Sequence, residues 1–558
     1  MTRRTNSLGS NWHVLYRIAN PRPSLEASAS HVVLISGSQF NPAGYDPEVL
    51  IVGAGAVGIV LGVALAREGR RVLVIEAGPA SPPIDYRKRN QGPNTGHFHQ
   101  GMVDGRMKAL GGTTRLWGGQ LVPFGPSDFA QTYDGKPRWP IGHEELEPYF
   151  GRALDLLQVP ASNRHPDALW QRVGGRPFEL GADFEWTMNL WLPVADFTKL
   201  FAAEIAAPAG PTIVSELEAT GLEFASDGRV QAVRVRRPDG AELRLTAPQV
   251  ILANGTMEIA RLLLRAAATA PDCPFAGNTN LGRGFIDHLH GIVGRVFPAS
   301  LKRLRAGIEN LHVGGRKFSV KLRASDRFLA REKLGNCAVT FNAVGSVRQA
   351  LGDLRDLGLR LSGRGSERRA AWRVVADAAR TLGILAPVLW SYFIRRRSHS
   401  PFGRGIFLGV EIEQIPCAES RLFLDPAKPP EQAAIGIHWA FDGRELDSAA
   451  RFCTELAATF AAEGLGRIEL DPRLVARDRA MFAEFHDAYH HMGGARMADR
   501  AEDGVVDRDL RVFGCPNLAV AGAAVFPSGS FANPTLTALA LALRLGDRLN
   551  TACKAGSC

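Results

Sequence analysis

The sequence contains few cysteines and no paired cysteine motif. Its seven cysteines are scattered over 558 residues, and none belongs to a C-x-x-C pair. This pattern argues against a disulfide framework and against a redox-active dithiol, and it favours a reducing, cytoplasmic setting. Cys553 and Cys558 lie close together, but two thiols alone are a weak signal for a metal, so we expect no metal site.

Long hydrophobic runs are also missing. Arg3 and Arg4 are not followed by the apolar stretch of a secretory signal, and we expect residues 1–46 to form an irregular extension. An arginine-rich insertion at about residues 350–400 contains an apolar run, 382–394, that is too short to span a bilayer. We expect this insertion either to pack against the protein or over the mouth of the active site, or to lie at a membrane interface through its aromatic and arginine side chains. The sequence therefore predicts at most a peripheral membrane association.

The charge pattern argues against a nucleic-acid partner. The formal net charge is +10, yet no basic run is interleaved with aromatic residues, and neither zinc-finger nor helix-turn-helix spacing occurs. Hydrophobic residues make up 45% of the chain and charged residues 22%, which is typical of a soluble globular protein. A chain of this length exceeds what one hydrophobic core usually supports, so we expect two domains that share a cleft.

A glycine-rich motif has the context of a dinucleotide-binding turn. Residues 49–52 are apolar, residues 53–58 read G-A-G-A-V-G, residues 59–68 have helical spacing, and residues 71–76 are a second apolar run that ends in an acid. This order predicts a strand, a tight turn, a helix and a second strand. A G-x-G-x-x-G motif is weak alone, but in this context it is a specific signal.

Each part of this motif has a physical role in binding a dinucleotide. Gly53 allows the tight turn, Gly55 lets the backbone approach a pyrophosphate, and Gly58 allows the helix to pack close to the strand. The helix N-terminus adds partial positive charge. Glu76 can accept hydrogen bonds from both ribose hydroxyls and would repel a 2′-phosphate. The motif therefore predicts FAD or NAD and leaves the choice between them open.

Later segments of the chain return to the same kind of structure. Residues 220–253 alternate like a meander and end in an apolar strand. Residues 517–522 form another apolar strand, and residues 535–549 form a long apolar helix. Such returns indicate a discontinuous nucleotide domain with catalytic elements inserted between its pieces.

Further segments resemble motifs of the glucose-methanol-choline (GMC) oxidoreductase family. Residues 108–119 contain K-A-L-G-G-T-T and W-G-G, which is similar to the loop around the flavin and its pyrophosphate. Residues 280–288, N-L-G-R-G-F-I-D-H, resemble the family's G-R-x-x-x-D-H element near the dinucleotide. Residues 489–497, Y-H-H-M-G-G-A-R-M, and residues 531–537, F-A-N-P-T-L-T, resemble the C-terminal catalytic signature. The resemblance spans about residues 47–550 and makes FAD the expected cofactor.

The resemblance implies an α/β fold, in which a discontinuous Rossmann-like FAD-binding domain carries an inserted α+β substrate domain built on an antiparallel sheet. The implied FAD-binding domain comprises residues 47–130, 212–290 and 498–552. The implied substrate-binding domain comprises residues 131–211 and 291–497, including the insertion. Gly522 stands where many family members have aspartate, and glycine there resembles the bacterial sugar and polyol dehydrogenase branch.

The resemblance places the catalytic role on His490, with Asn533 as its partner. Hydride leaves carbon readily only as the hydroxyl loses its proton, so a base must lie within about 3 Å of that oxygen. Histidine suits this role because its unperturbed pKa is about 6.5. Asn533 can donate a hydrogen bond to the developing alkoxide. We expect only one of His490 and His491 to face the flavin, because adjacent side chains of an extended segment point in opposite directions.

The residues expected to contact FAD come from both glycine loops and from the later segments that belong to the same nucleotide domain. They are Gly53, Gly55, Ala56, Val57, Gly58, Glu76, Gly111, Gly112, Thr113, Thr114, Trp117, Gly118, Ala253, Gly255, Asp287, Gly522, Ala523, Asn533, Pro534 and Thr535. Family members with covalent FAD use a histidine ahead of or inside the second glycine loop. Asp104 and residues 113–117 provide none at those positions, and His97 and His99 lie further upstream, so we expect non-covalent FAD.

These features predict an FAD-dependent oxidoreductase that oxidises the CH-OH group of an alcohol, sugar or polyol. The acceptor stays open between a quinone, a cytochrome or other protein, a dye-like molecule and oxygen. The alternatives are a lyase or isomerase with structural FAD and a binding protein that has lost its pocket, and the presence of both His490 and Asn533 favours redox chemistry instead. Sugars and polyols are the first substrate candidates, with larger hydrophobic alcohols second.

Overall fold

The computed structural model describes residues 34–130, 138–176, 178–270, 272–343, 390–391, 396–397 and 405–554. The predicted insertion at 350–400 lies outside these residues except for its two described pairs, so the predictions made for it concern undescribed chain. In the described ranges, no helix is both long and apolar enough to cross a membrane.

The strands are numbered here in chain order. They are β1 (Leu34–Ser36), β2 (Val49–Val52), β3 (Val72–Ile75), β4 (Asn94–Gly96), β5 (Gln120–Leu121), β6 (Phe184–Trp191), β7 (Thr212–Ser215), β8 (Glu218–Phe224), β9 (Val230–Arg236), β10 (Glu242–Leu245), β11 (Gln249–Leu252), β12 (His288–Pro298), β13 (Leu311–Val313), β14 (Arg316–Ala324), β15 (Cys337–Ala343), β16 (Ile406–Glu413), β17 (Arg421–Leu424), β18 (Ile435–Trp439), β19 (Gly466–Leu470), β20 (His486–Asp487) and β21 (Leu518–Val520).

The α-helices are numbered in the same way. They are α1 (Ala56–Arg67), α2 (Gly101–Asp104), α3 (Pro126–Ala130), α4 (His143–Leu156), α5 (Pro166–Arg172), α6 (Phe197–Leu200), α7 (Ala202–Ala206), α8 (Thr256–Thr269), α9 (Leu301–Ile308), α10 (Asp326–Glu332), α11 (Arg444–Ala462), α12 (Pro472–Val475) and α13 (Thr535–Lys554). Short 3-10 helices occupy Pro42–Gly44, Tyr86–Asn90, Gly112–Arg115, Ala161–Asn163, Arg479–Glu484 and Ala523–Val525.

A six-stranded parallel sheet has the order β1-β7-β3-β2-β11-β21. Its central strands β2 and β3 consist only of valine, leucine and isoleucine and are fully buried, as expected for strands that are covered on both faces. The buried helix α1 connects them, and α13 packs against α1. Because the strands are parallel, the carboxyl ends of β2, β3, β11 and β21 meet at one edge of this sheet, where ligands bind in such folds.

A nine-stranded antiparallel sheet forms the second large layer. Its main order is β19-β12-β16-β15-β14-β6-β5, with β13 paired to β14 and β20 paired to β12. The predicted meander at 220–253 is a small antiparallel sheet of β8, β9 and β10 that leads into β11. The expected combination of a Rossmann-like parallel sheet and an antiparallel second sheet is confirmed.

Two details differ from the sequence predictions. Residues 34–36 were expected to be irregular, but β1 pairs in parallel with β7 at the edge of the six-stranded sheet. This apolar segment satisfies its backbone hydrogen bonds on an edge that would otherwise be open. In addition, β5 of the predicted FAD-binding domain pairs with β6 of the antiparallel sheet, so the chain crosses between the layers there. The domain boundaries themselves stay a proposal.

Candidate active site

A cleft of about 640 Å³ lies between the two large sheets. One wall consists of the segments that follow β2, β3, β11 and β21, including Gly53, Glu76 and Gly522. The other wall comes from the antiparallel sheet and from the segment that ends in His490. The cleft therefore joins the ligand-binding edge of the parallel sheet to polar side chains of the second layer.

The glycine turn has the close contacts that its sequence predicts. Gly53 has φ of +105°, and a Cβ atom added there would lie 2.5 Å from Asn254 Cα. A Cβ atom at Gly58 would lie 1.8 Å from the Gly53 carbonyl oxygen, so α1 can approach β2 only with glycine at this position. At Gly55 an added Cβ atom would meet nothing within 4 Å, and this backbone borders the cleft.

The carboxylate of Glu76 is held at the cleft by backbone donors. Its Oε2 accepts from the Ala54 amide at 3.0 Å, and its Oε1 accepts from the Gly78 amide at 2.9 Å. Burial raises the pKa of Glu76 to about 7, although the two backbone hydrogen bonds and Lys108 act in the opposite direction. Each carboxylate oxygen keeps a further lone pair for a ligand hydroxyl.

His490 and Asn533 form a direct pair on the cleft wall. Asn533 Nδ2 lies 2.8 Å from His490 Nε2, and His490 Nδ1 lies 2.9 Å from His288 Nδ1. With the amide nitrogen donating, Nε2 carries the lone pair of His490 and Nδ1 carries the proton that is donated to His288. Burial lowers the pKa of His490, while the carboxylates of Asp287 and Glu411 oppose this shift. The result is a neutral imidazole whose Nε2 lone pair accepts a hydrogen bond from Asn533.

Asp287 holds the segment that carries His490. Its Oδ1 and Oδ2 each lie 3.0 Å from the His490 amide, and Oδ1 also accepts from the amides of Ala488 and His288 at 3.2 and 2.7 Å. Tyr489, which stands between Ala488 and His490, has φ of +65°, a left-handed conformation that costs a non-glycine residue about 1–3 kcal/mol. The hydrogen bonds from the Ala488 and His490 amides to this carboxylate stabilise the bend and hold His490 on the cleft wall.

His491 also borders the cleft but has different neighbours. Its ring centroid lies 5.2 Å from that of His99 and 6.1 Å from that of Phe285. Ligand atoms of His491, His99 and Asp287 lie within 4.8 Å of one another. His99 Nε2 bonds to Asp287 Oδ2 at 3.0 Å, and the Met102 amide donates to His99 Nδ1, so hydrogen bonds account for His99 and Asp287. The expectation that only one histidine faces the cleft assumed an extended segment, and the bend at Tyr489 removes that condition.

Most of the residues predicted to bind the cofactor line the cleft. They are Gly53, Gly55, Ala56, Val57, Glu76, Gly112, Thr113, Thr114, Trp117, Gly118, Ala253, Gly255, Gly522, Ala523, Asn533, Pro534 and Thr535. Three predicted contact residues do not line it. Gly58 acts through helix packing, the Gly111 amide donates to the Ala54 carbonyl at 2.9 Å, and Asp287 lies behind His490.

The sequence reasoning missed two further groups of cleft residues. One group on the wall is Tyr86, Arg87, Lys108, Glu258 and Arg261, of which Lys108 and Glu258 act on the charge of Glu76. Near His490, the wall includes Gln120, Trp191, His290, Lys321 and Glu411. Only His290 had a local signal, because it follows the D-H element by two residues and so lies on the same face of β12 as His288.

The cleft fits a dinucleotide cofactor such as FAD. A Cβ atom at Gly112 would lie 2.9 Å from Gly55 Cα, so the two glycine loops meet and leave exposed backbone between them. Four buried polar atoms of cleft residues have no hydrogen-bond partner within the described chain: Asn254 Oδ1, His290 Nε2, His491 Nε2 and Asn533 Oδ1. Such atoms are rarely left unsatisfied in native proteins, which indicates a polar ligand.

Comparison with known proteins agrees with this reading of the cleft. A family model described as FAD dependent oxidoreductase matches residues 48–278, and the C-terminal model of the GMC oxidoreductases matches residues 416–542. The chain is 23% identical to the fructose dehydrogenase large subunit of Gluconobacter japonicus, covering 91% of this chain and 98% of that protein. It is 22% identical to the 2-methyl-1,2-propanediol dehydrogenase of Mycolicibacterium austroafricanum, covering 90% and 95%.

Solved structures share the same fold. Pyridoxine 4-oxidase from Mesorbium loti superposes with a TM-score of 0.55 at 18% identity, covering 91% of this chain and 99% of that chain. A fungal aryl-alcohol oxidase superposes with a TM-score of 0.54 at 16% identity over the same shares.

The chain thus contains an FAD-dependent oxidoreductase domain and the C-terminal domain of the GMC oxidoreductases. The predictions of the family, of FAD as the cofactor and of an oxidoreductase are thereby confirmed. The mode of FAD attachment and the individual site residues stay predictions.

Proposed function

We propose that this protein oxidises the CH-OH group of a small alcohol, sugar or polyol, with His490 as the base. The observation that carries this proposal is the 2.8 Å contact between His490 Nε2 and Asn533 Nδ2 on the cleft wall. The names of the two relatives support it, because fructose and 2-methyl-1,2-propanediol are both polyhydroxylated alcohols.

The side chains around His490 suit the transfer of a proton. A substrate hydroxyl that enters between His490 and Asn533 would give its proton to Nε2 and would accept a hydrogen bond from the amide. The proton on His490 Nδ1 is donated in a hydrogen bond to His288 Nδ1, and this hydrogen bond fixes the tautomer of His490. Asp287 keeps its negative charge, because its contacts with His99 and the nearby histidines hold its pKa well below the usual range despite burial, and this charge favours the imidazolium.

Bound FAD would supply the acceptor for the two electrons that leave the carbon. Gly53, Gly55 and Glu76 would hold its dinucleotide part, and Thr113 and Asn533 lie on the same cleft. We also propose that FAD is held without a covalent bond. Among the described residues, the histidines on the cleft wall are His290, His490 and His491, and none of them stands in the second glycine loop at 108–119.

We further propose a quinone, a cytochrome or another protein as the electron acceptor. The relative from Gluconobacter japonicus is named as a large subunit, which supports an assembly with a further electron-transfer component. Hydrogen peroxide formation and dye reduction should be measured with one substrate. Dye reduction without stoichiometric peroxide is the expected result, and stoichiometric peroxide would identify an oxidase instead.

The test of the reaction class is an anaerobic reduction of the bound flavin. The holoenzyme is mixed with a panel of sugars, polyols and simple alcohols, and the absorbance of oxidised flavin is followed. We expect at least one member of the panel to bleach the flavin. If no alcohol does so while dithionite still reduces it, the lyase or isomerase alternative replaces the proposal.

A further inference from the structure

A buried ion pair lies on the cleft wall beyond His490. Lys321 on β14 and Glu411 on β16 are 6% and 9% exposed, and Lys321 Nζ donates to Glu411 Oε2. His290 on β12 borders the cleft beside them, with its Nε2 at 3.9 Å from Glu411 Oε2. These three side chains come from three different strands, and we call them the Lys321 cluster.

The Lys321 cluster keeps hydrogen-bonding capacity after its internal contacts are counted. Within the described chain, Lys321 Nζ bonds only to Glu411, which leaves two of its three N-H donors. Glu411 Oε1 has no hydrogen bond in those residues, and His290 Nε2 is buried without a partner. The cluster therefore offers both donors and acceptors to whatever occupies the cleft.

The spacing of these atoms suits a hydroxyl group. Two polar atoms 3.9 Å apart are too distant to bond each other, but one oxygen can lie about 2.8 Å from both of them. A hydroxyl donates one hydrogen bond and accepts others, so it can donate to Glu411 Oε2 and accept from His290 Nε2. Burial lowers the pKa of His290 to about 4, so this ring is neutral near pH 7 and can donate from Nε2.

A hydrophobic substrate would be poorly matched to this wall. Removing the ion pair from water costs free energy. An apolar group packed against it would displace water and offer no hydrogen bonds in its place. A substrate with several hydroxyl groups would replace those water contacts with its own. The charges of the cluster thus distinguish between the two substrate classes that the sequence left open.

We propose that Lys321, Glu411 and His290 bind hydroxyl groups of the substrate remote from the reacting carbon, and so select polyhydroxylated substrates over simple alcohols. This assignment rests on the proposed function, because it concerns the substrate of the same site. His490 and Asn533 act on the reacting hydroxyl, whereas the Lys321 cluster determines which substrates bind with their reacting hydroxyl beside His490.

The test compares flavin reduction by polyhydroxylated and simple substrates. The holoenzyme is reduced anaerobically with D-fructose, D-sorbitol and D-mannitol and, separately, with 1-hexanol, and the second-order rate constant of flavin reduction is determined for each. We expect the best polyhydroxylated substrate to exceed 1-hexanol by at least about a hundredfold, because a polar site left unpaired by its ligand discriminates strongly.

Variants then assign this preference to the cluster. Glu411→Gln and Lys321→Met should each lower the ratio of the rate constant for the best polyhydroxylated substrate to that for 1-hexanol by at least about tenfold, because an effect on His490 changes both rate constants alike and cancels in the ratio. Arg323→Met is the matched control, since Arg323 lies two residues along β14, pairs with Glu185 and Asp326, and does not line the cleft. Flavin content and melting temperature are recorded for every variant.

Analogues that lack single hydroxyl groups make the test independent of folding. With the wild-type enzyme, removal of one remote hydroxyl should lower the rate constant at least about tenfold, and in Glu411→Gln or Lys321→Met the same removal should have a smaller effect. Equal rates for 1-hexanol and the polyhydroxylated substrates, or variants that behave like Arg323→Met, would overturn the assignment and leave the proposed function intact. Failure of every alcohol to reduce the flavin would instead remove the proposed function itself.

Discussion

At the scale of single residues, His490 is fixed from both sides of its ring and from its backbone. Asn533 contacts Nε2, His288 contacts Nδ1, and Asp287 accepts from the amide. The ring orientation is therefore set before the substrate arrives, and a substrate hydroxyl has only to displace the Asn533 amide from Nε2.

His490→Ala should keep bound FAD but slow anaerobic flavin reduction by at least about a hundredfold, the usual scale for a lost acid-base group. His165→Ala is the control, because His165 is exposed and does not line the cleft. Stopped-flow spectroscopy measures the rates, and the absorbance ratio of flavin to protein measures the content. Loss of FAD from the His490 variant would make this residue structural.

The pH dependence follows from the lowered pKa of His490. Protonated His490 cannot accept the hydroxyl proton, and burial lowers its pKa from 6.5, so the active neutral form persists to lower pH than for a solvated histidine. The rate of flavin reduction should therefore fall on the acid side with a midpoint below pH 6.5. Asp287→Asn should move this midpoint to lower pH, because the carboxylate raises the pKa of His490.

Stopped-flow rates between pH 5 and pH 9 check both expectations. A midpoint above pH 7 in the wild-type enzyme would contradict the assignment of His490 as the base. An unchanged midpoint in Asp287→Asn would show that the carboxylate acts only through its backbone hydrogen bonds.

At the scale of elements, the contact between α1 and the glycine turn determines the shape of the dinucleotide site. A side chain at Gly58 would collide with the Gly53 carbonyl, and that collision involves backbone that cannot move without displacing the turn. The helix N-terminus and the cleft-lining backbone of Gly55 depend on the same contact.

Gly58→Ala should destabilise the protein by at least about 2 kcal/mol and weaken FAD binding, since overpacking forces backbone shifts. Gly151→Ala in α4 is the matched control. A Cβ atom there meets nothing within 4 Å, so this change should stabilise the protein by about 0.5–1 kcal/mol. Denaturant unfolding and FAD titration of the apoprotein measure both effects. Similar behaviour of the two variants would contradict the packing argument.

The elements also differ in how well local patterns predicted them. The strand at 49–52 is confirmed as β2, and the predicted helix at 535–549 is confirmed as the first part of α13. The helix after the glycine turn begins at Ala56, three residues earlier than predicted, because the turn residues themselves form its first turn. A continuous apolar run in the central layer directly indicates a buried element, so these elements could be predicted from the sequence.

At the scale of the whole molecule, the cleft brings together segments that are distant in the chain. The cleft wall contains residues from the glycine turn near Gly53 to Thr535 at the start of α13. A ligand that binds only the folded state stabilises that state, and here it would bridge both large sheets.

Acid precipitation should release FAD into the supernatant, as expected for non-covalent binding. The apoprotein, prepared by mild removal of FAD, should melt at a lower temperature than the holoenzyme, and added FAD should restore the difference in a concentration-dependent way. Differential scanning fluorimetry measures the melting temperature. Yellow colour that stays with the precipitated protein would show a covalent link.

The sequence by itself determined the dinucleotide turn, the family and the pair of His490 and Asn533 as candidates. These features depend on short motifs in which spacing and residue type already carry the chemistry. Only the tertiary structure decided that Asp287 supports the bend at Tyr489 instead of contacting the cofactor cleft. It also brought Lys321, Glu411 and His290 together from three strands, because strand order and register depend on contacts between distant segments, which no local pattern encodes.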